Sequence, residues 1–159
     1  SDDAPINSLG LRGTLEGYCG AYGIVAQAER LLAADDSASM LRDLDASEIT
    51  PLAVSRAAEQ DDPLALRVVL DTARHVAIGL VTCVHIIDPD SVVIGGGVDF
   101  GGPGSALGER FIAEVRAQAA ARMIDVLRDQ VHIDFATLGG DAGYIGAAGL
   151  ARRDARRSS

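Results

Sequence analysis

The residues best suited to chemistry are the run Val92-Val93-Ile94-Gly95-Gly96-Gly97-Val98, which follows directly on Ile86-Ile87-Asp88-Pro89-Asp90. It reads as a buried strand ending in a glycine triplet. Three residues without Cβ tolerate positive φ and leave their amide N–H groups uncovered, which suits an adenine or a phosphate lying against the main chain. The other reactive side chains are scattered. His75 and His85 fall on a long predicted helix and His132 on a predicted strand, with no His, Cys or carboxylate at metal-ligand spacing, so they read as core or surface histidines. Cys19 and Cys83 are far apart in apolar surroundings and read as reduced core thiols.

Composition narrows the frame that must hold the glycines. With 159 residues the chain is long enough for one domain with a real core. Apolar residues make up 48% and aromatics only 4%, with no Trp, so the core must be aliphatic, alanine-rich and built from closely packed helices. A net charge of −9 argues against nucleic acid as a partner. There is no 18-residue uncharged run and no cleavable leader in the sequence, so neither membrane nor secretion is expected and the composition reads as cytoplasmic.

The elements follow from caps and periodicity. Residues 1–13 read as irregular, Ser1-Asp2-Asp3-Ala4-Pro5 as unable to pack, and Thr14 as the N-cap of one helix running to about Leu32 with Glu16 in its first turn. Shorter helices are expected over Ser39 to Leu44 and from Thr50-Pro51 to Glu59. Asp61-Asp62-Pro63 starts the longest helix. Its apolar positions Leu66, Val69, Leu70, Ala73, Val76, Ala77, Leu80, Val81 and Val84 span roughly 35 Å at the helical rise per residue, and Asp88-Pro89-Asp90 ends it. A strand at 91–95, a helix at 105–121, a strand at 131–136 and a small-residue-rich helix from Asp141 to Ala151 complete the chain. The basic tail Arg152 to Arg157 reads as a solvated helix end. Only two strands among so many helices predict an α/β domain with part of its sheet missing.

Four blocks in order resemble the C-terminal part of the ROK (repressor, open reading frame, kinase) sugar kinases of the actin-like ATPase superfamily. They are Gly10-Leu11-Arg12-Gly13-Thr14-Leu15-Glu16, Asp61-Asp62-Pro63-Leu64-Ala65, Asp88 through Val98, and Leu138-Gly139-Gly140-Asp141-Ala142-Gly143-Tyr144-Ile145-Gly146-Ala147-Ala148. The resemblance implies a helix-rich C-terminal lobe of an actin-like (ribonuclease H-like) fold over residues 1–159, with the N-terminal lobe absent. It implies ATP-dependent phosphorylation of a hexose, glucose first among them, with Mg²⁺ in the intact enzyme, and a homo-oligomer.

Carried onto this sequence, Glu16 matches the glutamate that binds sugar hydroxyls, and Gly95, Gly96 and Gly97 match the glycines lining the nucleotide site. A carboxylate accepts at about four lone-pair sites, so it can take two neighbouring hydroxyls at once. The family's zinc-ligating cysteines fall at Asn7, Leu9 and Thr14, none of which replaces a thiolate, so no structural zinc is expected. The general base, an aspartate after an asparagine, and the phosphate-binding glycine motif belong to the family's N-terminal part and have no counterpart here. No catalytic residue is therefore expected in this chain. Asp134 reads instead as a strand-rim carboxylate and Asp141 as a helix cap. The alternative reading is a sugar-sensing ROK regulator, or a noncatalytic sugar-binding or assembly lobe, sharing Glu16 but transferring nothing.

Overall fold

A computed structural model describes residues 4–157. Helix α4, Pro63–Ile87, is the spine, and α1 (Leu15–Cys19), α2 (Ala21–Ala34), α3 (Pro51–Glu59) and α5 (Ala106–Ala120) all pack on it. The caps expected from sequence hold three of these helices, with Thr14 accepting from the Gly17 amide, Thr50 from Ala53 and Asp62 from Ala65, and the structure adds a fourth, Ser105, which accepts from Gly108. Asp62 is buried and does more, because its carboxylate also accepts from Ser39 Oγ at 3.1 Å and from the Met40 amide at 2.6 Å. One side chain thus caps α4 and ties down the 3₁₀ turn Met40–Asp43, which stands where a short helix over Ser39 to Leu44 was expected.

Alanine lets these helices approach. Ala28, Ala58, Ala65, Ala73, Ala77 and Ala119 are each at most 1% exposed, interleaved with Ile24, Val68, Val69, Ile112 and Val115. All three phenylalanines of the chain meet beside them: the Phe111 ring lies 5.1 Å from Phe100 and 6.4 Å from Phe135.

Strands β1 (Ser91–Ile94) and β2 (His132–Phe135) run parallel, pairing Ser91 with His132 and Ile94 with Phe135. The crossover between them carries α5 and a short helix α6, Asp125–Arg128, that periodicity did not reveal. The last helix, α7, Ala142–Arg157, takes in the basic tail instead of stopping at Ala151, and all its residues are exposed.

Four further expectations are corrected. The helix predicted over Thr14 to Leu32 is broken at Gly20, whose ψ of 172° is extended. Residues 1–13 are not simply irregular, since Ile6 and Arg12 form an antiparallel bridge and Ala4 is buried; Ser1 to Asp3 lie outside the described residues. Cys19 is buried, but Cys83 is exposed, because it points away from the face of α4 that buries Leu80, Val81 and Val84. Leu70 is 39% exposed for the same reason, and Leu64, Ala65 and Val68 carry the start of the buried stripe.

Candidate functional site

Glu16 stands in the first turn of α1 with its side chain exposed, and the turn before it reaches back to meet it. Asn7 Nδ2 donates to Glu16 Oε2 at 3.2 Å, and Ser8 Oγ donates to Oε1 at 2.6 Å. Asn7 also organises its own turn. Its Oδ1 accepts from the Leu9 and Leu11 amides at 3.0 and 2.8 Å, while its main-chain N–H donates to the Leu11 carbonyl at 2.9 Å. Gly10 closes this hairpin at φ +79°, and the Gly13 amide donates to the Pro5 carbonyl at 2.9 Å.

The position of α1 is set by glycines. An ideal Cβ on Gly23 of α2 would stand 2.3 Å from the Gly17 carbonyl oxygen, and one on Gly79 of α4 would stand 2.6 Å from Leu15. At Gly23 the obstacle is main chain and only hydrogen fits, whereas at Gly79 it is the end of the Leu15 side chain, and α1 sits directly against both longer helices. Behind it a cavity of about 570 Å³ is lined by residues including Gly17, Tyr18, Gln27, Asp71, Arg74 and His75. Glu16 faces elsewhere. Within this cavity wall the Tyr18 and His75 rings stack at 4.5 Å, and His75 Nδ1 lies 2.7 Å from the Asp71 carbonyl, so His75 serves packing as a core histidine would.

The glycine triplet lies at the carboxyl end of β1, beside the end of β2, where the Ala136 amide donates to the Ile94 carbonyl at 2.7 Å. That is the edge at which parallel sheets take ligands. The three glycines do different things. A Cβ on Gly95 would press on Ala136 at 3.1 Å; Gly96 adopts φ +103°, which L side chains rarely reach; Gly97 has neither constraint, with nothing within 4 Å of where its Cβ would be. Gly139 and Gly140, just past β2, are equally open.

The other sequence candidates fall into structural roles. Asp134 lies on β2 and is 3.3 Å from Arg116. Asp141 immediately precedes α7, at the end of a short turn from Gly139. His85 Nε2 accepts from the Ile124 amide at 3.4 Å, and His132 is exposed on β2. Among the described residues no three His, Cys, Asp or Glu side chains are grouped to hold a metal. Asn7 and Ser8 are the residues that sequence reasoning missed. The turn-forming character of Asn7 was legible, but its reach to Glu16, nine positions on, depends on how the hairpin folds back.

The chain is 29% identical over 151 residues to a glucokinase of Halalkalibacterium halodurans, an alignment covering 94% of this chain and 44% of that protein. It therefore spans less than half the length of that curated relative. Among solved structures, a ROK family glucokinase from Streptomyces griseus in complex with glucose and AMPPNP superposes with a TM-score of 0.76 at 29% identity, over 96% of this chain and 49% of that one. A ROK family transcriptional regulator, homologous to the E. coli MLC protein, gives 0.69 at 18% identity over 85% of this chain and 32% of that one, a likeness of fold alone. The helix-rich α/β architecture with its two-stranded sheet is thus part of the actin-like ATPase fold that these kinases have. The sequence profile of the ROK family matches residues 2–154, and with almost the whole chain so matched, the protein belongs to the ROK family.

Proposed function

We propose that this chain is the C-terminal lobe of a cytoplasmic, ATP-dependent hexose kinase whose reaction is the conversion of glucose to glucose 6-phosphate. Glu16 takes two neighbouring sugar hydroxyls, and Gly95 to Gly97 form the surface on which the adenosine lies. The base that deprotonates the acceptor hydroxyl lies outside this chain. Mg²⁺ would arrive with the triphosphate and neutralise charge during transfer, and no residue here is assigned to it. The work of this lobe is to bind and orient.

The observation that carries the reading is the open glycine loop at the carboxyl end of the parallel strands, with Gly96 at φ +103° and free space over Gly97. A nucleotide has use for that surface. The rival, a sugar-sensing regulator, needs Glu16 but has no need of such a loop.

The test is a pair of variants in the intact protein. Glu16→Gln keeps size but places an NH₂ donor against hydroxyl donors, and a charged hydrogen bond is worth about 1.5–3 kcal/mol, so kcat/KM for glucose should fall about 10- to 150-fold with KM for ATP little changed. Gly97→Val should do the reverse, raising KM for ATP and sparing sugar affinity. Gly97 is the better choice than Gly96, since no positive φ confounds it. Sugar kinetics untouched by Glu16→Gln in folded protein would remove Glu16 from the site, and glucose binding without any ATP binding would favour the sensor.

A further inference from the structure

We propose that Asn7 and Ser8 are positioning residues that clamp the Glu16 carboxylate in the orientation in which it receives a sugar. The inference rests on the reading of Glu16 as the sugar-binding carboxylate and extends it to the residues that aim it. Each carboxylate oxygen has one protein donor, Ser8 Oγ on Oε1 at 2.6 Å and Asn7 Nδ2 on Oε2 at 3.2 Å. With about two acceptor sites per oxygen, one on each remains. Two free sites, one per oxygen of a single carboxylate, match two hydroxyls on adjacent carbons of a ring.

The orientation of Asn7 is fixed by its other bonds. Its Oδ1 accepts from two main-chain amides, Leu9 and Leu11, so turning the carboxamide over would set an NH₂ against two N–H donors. Nδ2 must then face Glu16. An exposed glutamate is otherwise free to sample rotamers, and immobilising it in advance removes that ordering cost from sugar binding. The hairpin between Ile6 and Arg12 thus acts as a bracket, joined to the main chain at one end and to a binding carboxylate at the other.

Two substitutions separate aim from fold. Ser8→Ala removes one donor from an exposed side chain and leaves the main chain alone. Asn7→Asp keeps an acceptor for the Leu9 and Leu11 amides but turns the donor facing Glu16 into an anionic oxygen. In the intact protein, calorimetric titration with D-glucose should show affinity weakened about 2- to 12-fold by Ser8→Ala, the cost of ordering one side chain, and at least tenfold by Asn7→Asp. KM for ATP and the melting temperature of Ser8→Ala should stay as they are, and Ser8→Thr, which restores a hydroxyl, should recover the affinity. A merely structural hairpin would lower the melting temperature and move the constants for both substrates together, which would overturn the proposal. Glu16→Gln, measured in parallel, keeps the two readings apart. If it weakens glucose binding while Ser8→Ala and Asn7→Asp leave it unchanged, the clamp is wrong and the Glu16 assignment stands; if Glu16→Gln is itself silent, both fall. Should Asn7→Asp fail to fold, Ser8→Ala and its threonine rescue decide.

Discussion

Gly23→Ala tests how α1 is held and what depends on it. In an ordinary helix interior this change stabilises, by up to about 1 kcal/mol, because alanine has less chain entropy to lose. Here the new methyl would meet the Gly17 carbonyl oxygen at 2.3 Å, about 1 Å short of ordinary contact at 3.4 Å, and the Gly17 and Tyr18 carbonyl carbons at 2.9 Å. All three are main-chain atoms, so no rotamer change relieves the clash. Overpacking of this kind costs about 1–3 kcal/mol, which set against the propensity gain leaves a net loss of up to about 2 kcal/mol, or up to about 8 °C in melting temperature. The alternative to that loss is a shift of α1 by about 1 Å, and α1 carries Glu16. A sugar held about 1 Å out of place by a displaced binding carboxylate loses on the order of a hundredfold in rate, so kcat/KM for glucose should fall more than KM for ATP changes. Thermal unfolding and steady-state kinetics of the intact protein read both effects. A higher melting temperature with unchanged glucose kinetics would refute the reasoning, for it would show that α1 and α2 have room that the geometry denies.

Three further outcomes are expected. In native protein a thiol reagent near neutral pH should modify Cys83 and spare Cys19, with the second thiol titrating only after denaturation. Burial pushes the Cys19 thiol from 9.0 up to about 12, so the stability that its protonated form supplies is intact below 9 and is lost as pH rises from there through about 12; a Cys19→Ala variant lacking that alkaline loss would bear out the assignment, and an identical pH profile would contradict it. The chain by itself should show no sugar phosphorylation above background in a coupled assay, since absence of a general base costs about 10²- to 10⁴-fold in rate, and ordinary turnover would place the base within these residues.

What sequence revealed and what it hid divide along physical lines. Cap residues act locally, so Thr14, Thr50-Pro51, Asp62-Pro63 and the left-handed Asp88 at φ 51° marked helix ends that the structure repeats. Gly20 was missed because helical periodicity continues across it. The extended backbone at Gly20 instead lets α1 and α2 meet through the close contact of Gly17 with Gly23, and Tyr22 is 71% exposed. Cys83 was misplaced because a 25-residue helix with apolar residues around much of its circumference does not declare which face is buried. At the site, the glycine triplet was visible as composition, whereas the distinct demands on Gly95, Gly96 and Gly97 required the neighbouring Ala136 and the backbone angles.

The parallel pairing of β1 with β2 bears on the order in which this lobe assembles. Ser91 meets His132 only after the whole crossover has been laid down, and closing a loop of that length costs on the order of 3 kcal/mol beyond a constant before any ladder bond is gained. Four residue pairs give a small return on that closure. The helices, by contrast, form from neighbours in sequence, and α4 meets α5 through the most deeply buried side chains, Phe111, Ile112 and Val115 among them. Contact order thus favours the single helices as the early elements and the strand pairing as a late one. Since the glycine loop hangs from the end of β1, the surface proposed for a nucleotide depends on that pairing, and hydrogen exchange should find its amides opening before those of the helical core.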